Sequence, residues 1–304
     1  MQDEINKPIF VVGSPRSGTS ILAWCLGHHP NIFPVPESNW MGDFAANVAV
    51  AHQIGSARGG YSILSAMNIG DDEFFAAFGR SINKLILEHR RDLEINRLNS
   101  KDPSKVNLQW LEATSMAAGP KVRWVDGTPE YSFHICGLRK LFPEARFVHV
   151  FRDVDAVVRS MLNFHRATGI QLVANEEDAY TYWLRTVRAC LTSEEAYGPE
   201  VVYRLRHTAL VENPESALRS LFDFLGEPYS AKCLEPLSLR INSSNVPLNF
   251  RSDDPATDRA IAEEARRLSA AIEETPQPAG YSPVAAEELD TEFCERIRHF
   301  ATYR

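Results

Sequence analysis

Cysteine is scarce and scattered in this chain. Five occur in 304 residues, at 25, 136, 190, 233 and 294, and none is spaced as a CxxC pair. That argues against a zinc ribbon or a disulfide framework and points to a reducing compartment. Long apolar runs are missing too. No stretch reaches the ~18 apolar residues of a membrane span. The opening MQDEINKP is polar and leads straight into a strand, unlike a secretory leader. Basic runs are short: no Lys/Arg stretch exceeds two residues, and the formal net charge is −8. General nucleic-acid binding is not expected, so any anion site must be local. No internal repeat or low-complexity tract is visible. The expectation is one cytoplasmic domain over 1–304, without membrane insertion.

What is present is an ordinary globular composition, 44% hydrophobic and 24% charged, long enough for a large core. Four apolar segments read as strands: Ile9 to Val12, Lys121 to Val125, Arg146 to Phe151 and Val201 to Leu205. Between them lie helical patterns, over Thr19 to His28, Glu73 to Leu98, Ser104 to Ala118, His134 to Leu141, Asp155 to Arg166 and Glu176 to Ala196. Further helices are predicted over Pro214 to Leu225, Asp258 to Glu274 and about 286–301. The segment Asn31 to Trp40 reads as a loop, and 41–70 as short helices and loops. Strands alternating with helices predict an α/β fold, a P-loop-like parallel sheet flanked by helices on both faces. A helical insert of about 41–118 is a candidate lid. Ligands of such sheets bind at the strands' carboxyl ends. That rule gathers Ser14 to Ser20, Asp126 to Glu130 and Arg152 to Ser160 on one rim.

The stretch Ile9 to Pro30 is the focus of the chain. A buried strand runs into Gly13-Ser14-Pro15-Arg16-Ser17-Gly18 and then a helix from Thr19. Unpartnered N–H groups and the positive end of the helix dipole make that junction a phosphate cradle. Gly13 and Gly18 let the backbone bend, Arg16 adds a fork of donors, and Ser17, Thr19 and Ser20 add hydroxyls. A Walker A loop would carry Lys directly after its last Gly. Thr19 stands there instead. A nucleotide hydrolase or kinase also needs an acid for Mg²⁺, commonly at the end of an apolar strand. Here that strand, RFVHVF, ends in Arg152. Arg152, with Ser160 eight residues on, forms a second anion pocket. A nucleotide with phosphates at both ends of its ribose would use both, with no metal required.

These residues resemble the sulfotransferases that use 3′-phosphoadenosine 5′-phosphosulfate (PAPS). Residues 13–20 are similar to the family's 5′-phosphosulfate loop, which implies PAPS contacts for Ser14, Pro15, Arg16, Ser17, Gly18, Thr19 and Ser20. Phe147 to Met161 resembles the 3′-phosphate segment, with Arg152 and Ser160 as its paired Arg and Ser. Val202 to Pro228 resembles a third block, in which His207 stands where Tyr is frequent. The likeness covers roughly 8–40, 121–165 and 200–250, and its style is bacterial. A family Lys near the second strand's end is replaced by Gly127, leaving Arg16 or Arg123 as candidate substitutes.

The resemblance to carbohydrate and tyrosyl-protein sulfotransferases implies that Glu37 is the general base. His28 and His29 are rivals, since a His serves in the small-molecule branch. Arg16 would bind and stabilise developing charge. Ser243, in INSSNVP, would assist the leaving oxygen, and Arg251 is a weaker candidate contact. Trp40 is placed in an acceptor pocket and Trp24 in the core. The implied reaction moves a sulfonate from PAPS to a hydroxyl of a small metabolite, saccharide or glycolipid. Two other readings stay open: a Mg²⁺-dependent phosphotransferase, and a nucleotide-binding protein without catalysis. The terminal helix is a candidate for homodimerisation.

Overall fold

A computed structural model describes residues 6–98, 121–165, 169–238 and 254–302, without the side chains of 91–98 and 299–302. The predicted helix over 104–118, Ser243 and Arg251 lie outside the described residues.

Five parallel strands form one sheet: β1 (Ile9–Val12), β2 (Ile32–Pro34), β3 (Arg123–Asp126), β4 (Arg146–Phe151) and β5 (Val202–Arg206). Their order is β2-β3-β1-β4-β5. Every pairing is parallel, and β1 takes β3 on one side and β4 on the other. The chain leaves β1 towards one edge for β2 and β3, then crosses to the opposite side for β4 and β5. β1 is therefore the switch point, and the loop after it opens at the crevice where such sheets bind ligands.

The strands are apolar on both faces because helices cover both. Phe10 and Val12 point into one core with Trp124 and Phe147, while Ile9 and Val11 point into another with Val125, Val148 and Leu205. The first core is closed by α2 (Met41–Ser56), α4 (Asp71–Leu98) and α5 (Ile135–Leu141), with the short α3 (Ile63–Ala66) between α2 and α4. The second is closed by α1 (Thr19–Gly27) together with a helix at Pro214–Leu225. A third core joins α6 (Val154–Leu162) and α7 (Glu176–Tyr197) to the Arg259–Glu274 helix. Further α-helices among the described residues are α8 (His207–Glu212), α9 (Pro214–Leu225), α10 (Arg259–Glu274) and α11 (Pro283–Thr302).

Several expectations change. The predicted loop after α1 contains a strand, β2, three residues long and too short to show alternation. The weakly patterned 41–70 stretch contains α2, sixteen residues long. Its buried face is largely small, with Gly42, Ala45, Ala46 and Ala49, so it presents little apolar periodicity. The described part of the insert packs into the main core. Trp124 Nε1 donates to Asn83 Oδ1 at 2.9 Å, tying α4 to β3. The apolar face of α11 is occupied within its own chain: Ala285, Leu289, Phe293 and Ile297 are buried in the first core. That removes the basis for dimerisation through this face. No helix among the described residues is long and apolar enough to cross a membrane.

Candidate active site

All five strands contribute at the carboxyl rim: the loop 13–18 after β1, Glu37 after β2, Thr128 to Ser132 after β3, Arg152 after β4 and His207 after β5. The first loop is wound tightly. Gly13 has φ 136°, and a Cβ there would stand 2.6 Å from the Val150 carbonyl oxygen. Gly13 N–H donates to Ser132 Oγ at 2.9 Å, and Ser132 Oγ donates to Pro129 O at 2.7 Å. The turn after β3 thus clamps the start of the loop. Arg16 is held at φ 71°, a left-handed backbone that L-residues with a Cβ seldom adopt. Such strain persists where surrounding structure over-determines it, most commonly at functional sites.

Arg16, Arg152, Ser160 and His207 meet. Arg16 Nε donates to Ser160 Oγ at 3.1 Å, and the guanidinium lies over the Phe164 ring at 4.5 Å. Arg152 Nη1 donates to the Arg16 carbonyl at 2.9 Å. His207 packs on the loop so closely that a Cβ at Gly18 would be 2.9 Å from its Cδ2. Burial and the charge of Arg152 lower the Arg16 pKa, with Glu37 acting the other way. Burial, then Arg152, pushes His207 down to about 4, so this imidazole is neutral at pH 7. Like charges gathered in a partly dry rim call for an anion. Ser17 Oγ, in the same loop, is buried with no hydrogen-bond partner among the described residues. A buried hydroxyl left unpaired carries a cost that a ligand oxygen would relieve. This donor set fits a nucleotide carrying two separated anionic groups. Ser14 and Thr19 are buried at the base of the loop, and Pro15 is on its path.

Glu37 stands at the mouth of this rim. Ser20 Oγ donates to Glu37 Oε1 at 3.2 Å, linking the first turn of α1 to the candidate base. The side chain keeps solvent contact, yet the surrounding protein raises its pKa above 4.5. Desolvation is the first cause; the Ser20 bond opposes it, and Glu130 and Asp126 reinforce it. The loop that carries Glu37 is latched to β3 by a proton-ordered chain. Met41 N–H donates to the Tyr131 hydroxyl at 3.1 Å, which lies 2.5 Å from Ser38 Oγ, which in turn donates to Asp126 Oδ2 at 2.6 Å. Asp126 Oδ1 accepts from Thr128 N and Oγ1, at 2.9 and 2.6 Å, and Thr128 Oγ1 accepts from Ser38 N at 2.9 Å. Asp126 is fully buried, and desolvation raises its pKa against these bonds. Its pairing with Thr128 is an Asx turn, a signal readable in Asp126-Gly127-Thr128. The link to Ser38, 88 residues away in the chain, is not readable there.

Beside Glu37 a cleft of about 510 Å³ opens between residues 33–41 and α4. Phe33, Val35, Trp40 and Met41 form one wall and Leu85 and Ile86 the other. Trp40 lines this cleft with the candidate base, and Trp24 is buried on α1.

Three sequence candidates fall elsewhere. His28 and His29 follow the far end of α1, at the amino-terminal rim. His28 Nδ1 bonds the Trp24 carbonyl at 2.9 Å; buried His29 bonds Pro228 O at 2.8 Å. Neither reaches the Glu37 rim, because α1 carries them the length of the sheet away from the loop. Arg123 begins β3 rather than ending it. It donates to Leu225 O at 2.8 Å, to Lys7 O and to Glu227 Oε1, and cannot stand in for the missing Lys. Gly127 itself lies against α1, and a Cβ there would be 3.0 Å from Ala23 Cβ. Among the described residues, no group of three or more His, Cys, Asp and Glu is arranged to hold a metal.

The chain is similar to known proteins along most of its length. A putative protein-tyrosine sulfotransferase of Caenorhabditis briggsae is 21% identical over 245 residues, covering 77% of this chain and 70% of that one. An omega-hydroxy-beta-dihydromenaquinone-9 sulfotransferase of Mycobacterium bovis is 30% identical over 105 residues, 32% of this chain and 27% of its own. An uncharacterised Aquifex aeolicus protein is 26% identical over 75% of this chain, which spans 26% of that relative's length. Among solved structures, the sulfotransferase domain from the curacin biosynthetic pathway has a TM-score of 0.50 at 18% identity, covering 91% of this chain and 100% of the domain. That likeness supports the fold, a parallel sheet flanked by helices. The profile of the sulfotransferase family matches residues 8–231, a span that holds the loop, Glu37, Arg152, Ser160 and His207, and on that match the chain belongs to the sulfotransferase family.

Proposed function

We propose that this protein transfers a sulfonate from PAPS to a hydroxyl acceptor and releases adenosine 3′,5′-bisphosphate. The observation that carries the reading is the convergence on one rim of two anion-gripping groups and a carboxylate. Arg16, Ser17 and the backbone of 13–18 face the 5′-phosphosulfate; Arg152 and Ser160 face the 3′-phosphate, with His207 packed beside them. In the reaction the acceptor oxygen bonds to sulfur while the bond from sulfur to the bridging phosphate oxygen breaks. The electron pair leaves with that oxygen, and the acceptor proton goes to Glu37. Arg16 and loop N–H groups stabilise charge on the equatorial oxygens. The Ser20 bond and the Asp126 latch orient Glu37. Desolvation raises the Glu37 pKa, which makes the ionised carboxylate a better proton acceptor. Ser243 retains its proposed role at the leaving oxygen.

The reading is tested by incubating the protein with sulfur-labelled PAPS and pools of alcohols, phenols and saccharides. Label appearing in an acceptor, in step with bisphosphate release and insensitive to chelator, is the expected result. Tight bisphosphate binding with no transfer to any acceptor would identify a non-catalytic nucleotide-binding protein. Triphosphate turnover abolished by chelation would identify a phosphotransferase.

A further inference from the structure

The cleft beside Glu37 is built from the wrong materials for a free sugar. Its facing walls are Phe33, Val35, Trp40 and Met41 against Leu85 and Ile86. The polar lining is limited to Glu37, Ser38, His89 and Arg90 at the cleft's edge; the Ser38 hydroxyl is already taken by Asp126 and Tyr131, and one Arg90 N–H bonds the Leu87 carbonyl. A saccharide needs a partner for each buried hydroxyl, and each one left unpaired is costly.

Two apolar side chains on these walls are exposed. Leu85 is 57% exposed and Trp40 46%, although their neighbours Ile82 and Met41 are buried. Leu85 is not needed to hold α4 down; that face is anchored by Phe75, Ile82 and Leu87. The apolar wall continues beyond the cleft: Trp40 contacts Phe44 with ring centroids 5.6 Å apart, and Phe44 contacts Phe78 at 5.8 Å. A cleft of about 510 Å³ is of the size that holds a small organic ligand rather than a single methyl group.

We propose that the acceptor of this site is an alcohol carried on an apolar body, with its hydroxyl at Glu37 and its body between Trp40 and Leu85. This rests on the sulfonate-transfer reading for the chemistry at Glu37, but the cleft's selectivity is a separate property. The body is recognised by area removed from water, so affinity grows with length until the cleft is filled. A buried methylene is worth about a fourfold gain.

Two measurements test this. The first needs no turnover: binding of 1-decanol, with ethanol and glucose as comparators, followed by tryptophan fluorescence or calorimetry in the presence of adenosine 3′,5′-bisphosphate. Decanol is expected to bind and glucose not. Leu85→Gln, an exposed change that keeps helix propensity, is expected to weaken decanol at least about tenfold without altering bisphosphate affinity. The second is kcat/KM for primary alcohols from ethanol to decanol with labelled PAPS. It is expected to rise about fourfold per methylene before a plateau, with a shallower rise in Leu85→Gln. Glucose bound or sulfonated in preference to decanol, or a decanol affinity indifferent to Leu85, would overturn the inference. Decanol binding lost in Leu85→Gln, with no transfer to any acceptor, would leave the cleft's selectivity standing and defeat the transfer reading alone.

Discussion

The two rims of the sheet carry similar residues in different circumstances. At the amino-terminal rim Arg123 bonds Leu225 O, Lys7 O and Glu227, Lys121 Nζ bonds the Gly27 and Ile32 carbonyls, and His29 bonds Pro228 O. Each donor meets an acceptor from a neighbouring segment, and the set staples the chain together. At the carboxyl rim Arg16 faces a second guanidinium, His207 is driven neutral, and Ser17 Oγ is buried with no hydrogen-bond partner among the described residues. The residue types do not separate a structural cluster from a binding site. The supply of partners does. Where the fold provides the counter-charge, the group serves stability. Where it gathers like charges on a strained loop, the group is a candidate for holding an anion.

That contrast can be broken by substitution. The largest expected effect is in Glu37→Gln. Removing a general base should lower sulfonate transfer by roughly 10²–10⁴-fold, with bisphosphate affinity, measured by calorimetry, preserved. A general base works ionised, and desolvation raises the Glu37 pKa, so wild-type kcat/KM should rise with pH through an inflection set by that raised pKa. Glu37→Gln should lose that limb. A variant keeping both rate and limb would remove Glu37 from the chemistry.

Arg123→Ala probes the opposite rim. It leaves Glu227, in a site where Arg123 is only 4% exposed, without its counter-charge. Breaking a buried pair in this way costs about 3–5 kcal/mol, seen as a lower urea midpoint. Turnover per folded molecule should be unchanged. A stable but inactive Arg123→Ala would erase the distinction between the rims.

Arg152→Ala should weaken adenosine 3′,5′-bisphosphate by about 1.5–3 kcal/mol, the value of a charge-assisted bond, and AMP far less. Equal losses for both nucleotides would move Arg152 away from the 3′-phosphate. Asp126→Asn has the smallest expected effect. One acceptor oxygen replaces two, so either Ser38 or Thr128 meets an amide donor, and the Glu37 loop loosens. About tenfold in kcat is expected, with donor KM unchanged. A donor KM that rises with no change in kcat would place Asp126 in nucleotide binding instead.

Local sequence carried much of the site. Gly13, Arg16 and Gly18 between an apolar strand and a helix announce an anion loop wherever they occur, because the chemistry is contiguous. Arg152 after RFVHVF is equally legible, since a cation at a buried strand's end has few other uses. β2 and α2 were not legible. Three residues cannot display a period of two, and a helix buried through Gly and Ala offers too little hydrophobic contrast. His28 and His29 are candidate bases by sequence because they follow the loop closely, but a nine-residue helix carries them to the far rim.

By itself the sequence determined the fold class, the glycine-bounded loop after the first strand and the family, since each rests on contiguous residues or on the order of alternating segments. Tertiary structure decided the rest. It placed Glu37 against Ser20, latched its loop through Ser38 to Asp126, sent Arg123 to the other rim, and opened an apolar cleft between Trp40 and Leu85. The physical reason is chain separation. These contacts join segments up to 102 residues apart, and their partners are selected by strand order and packing, which no local pattern encodes.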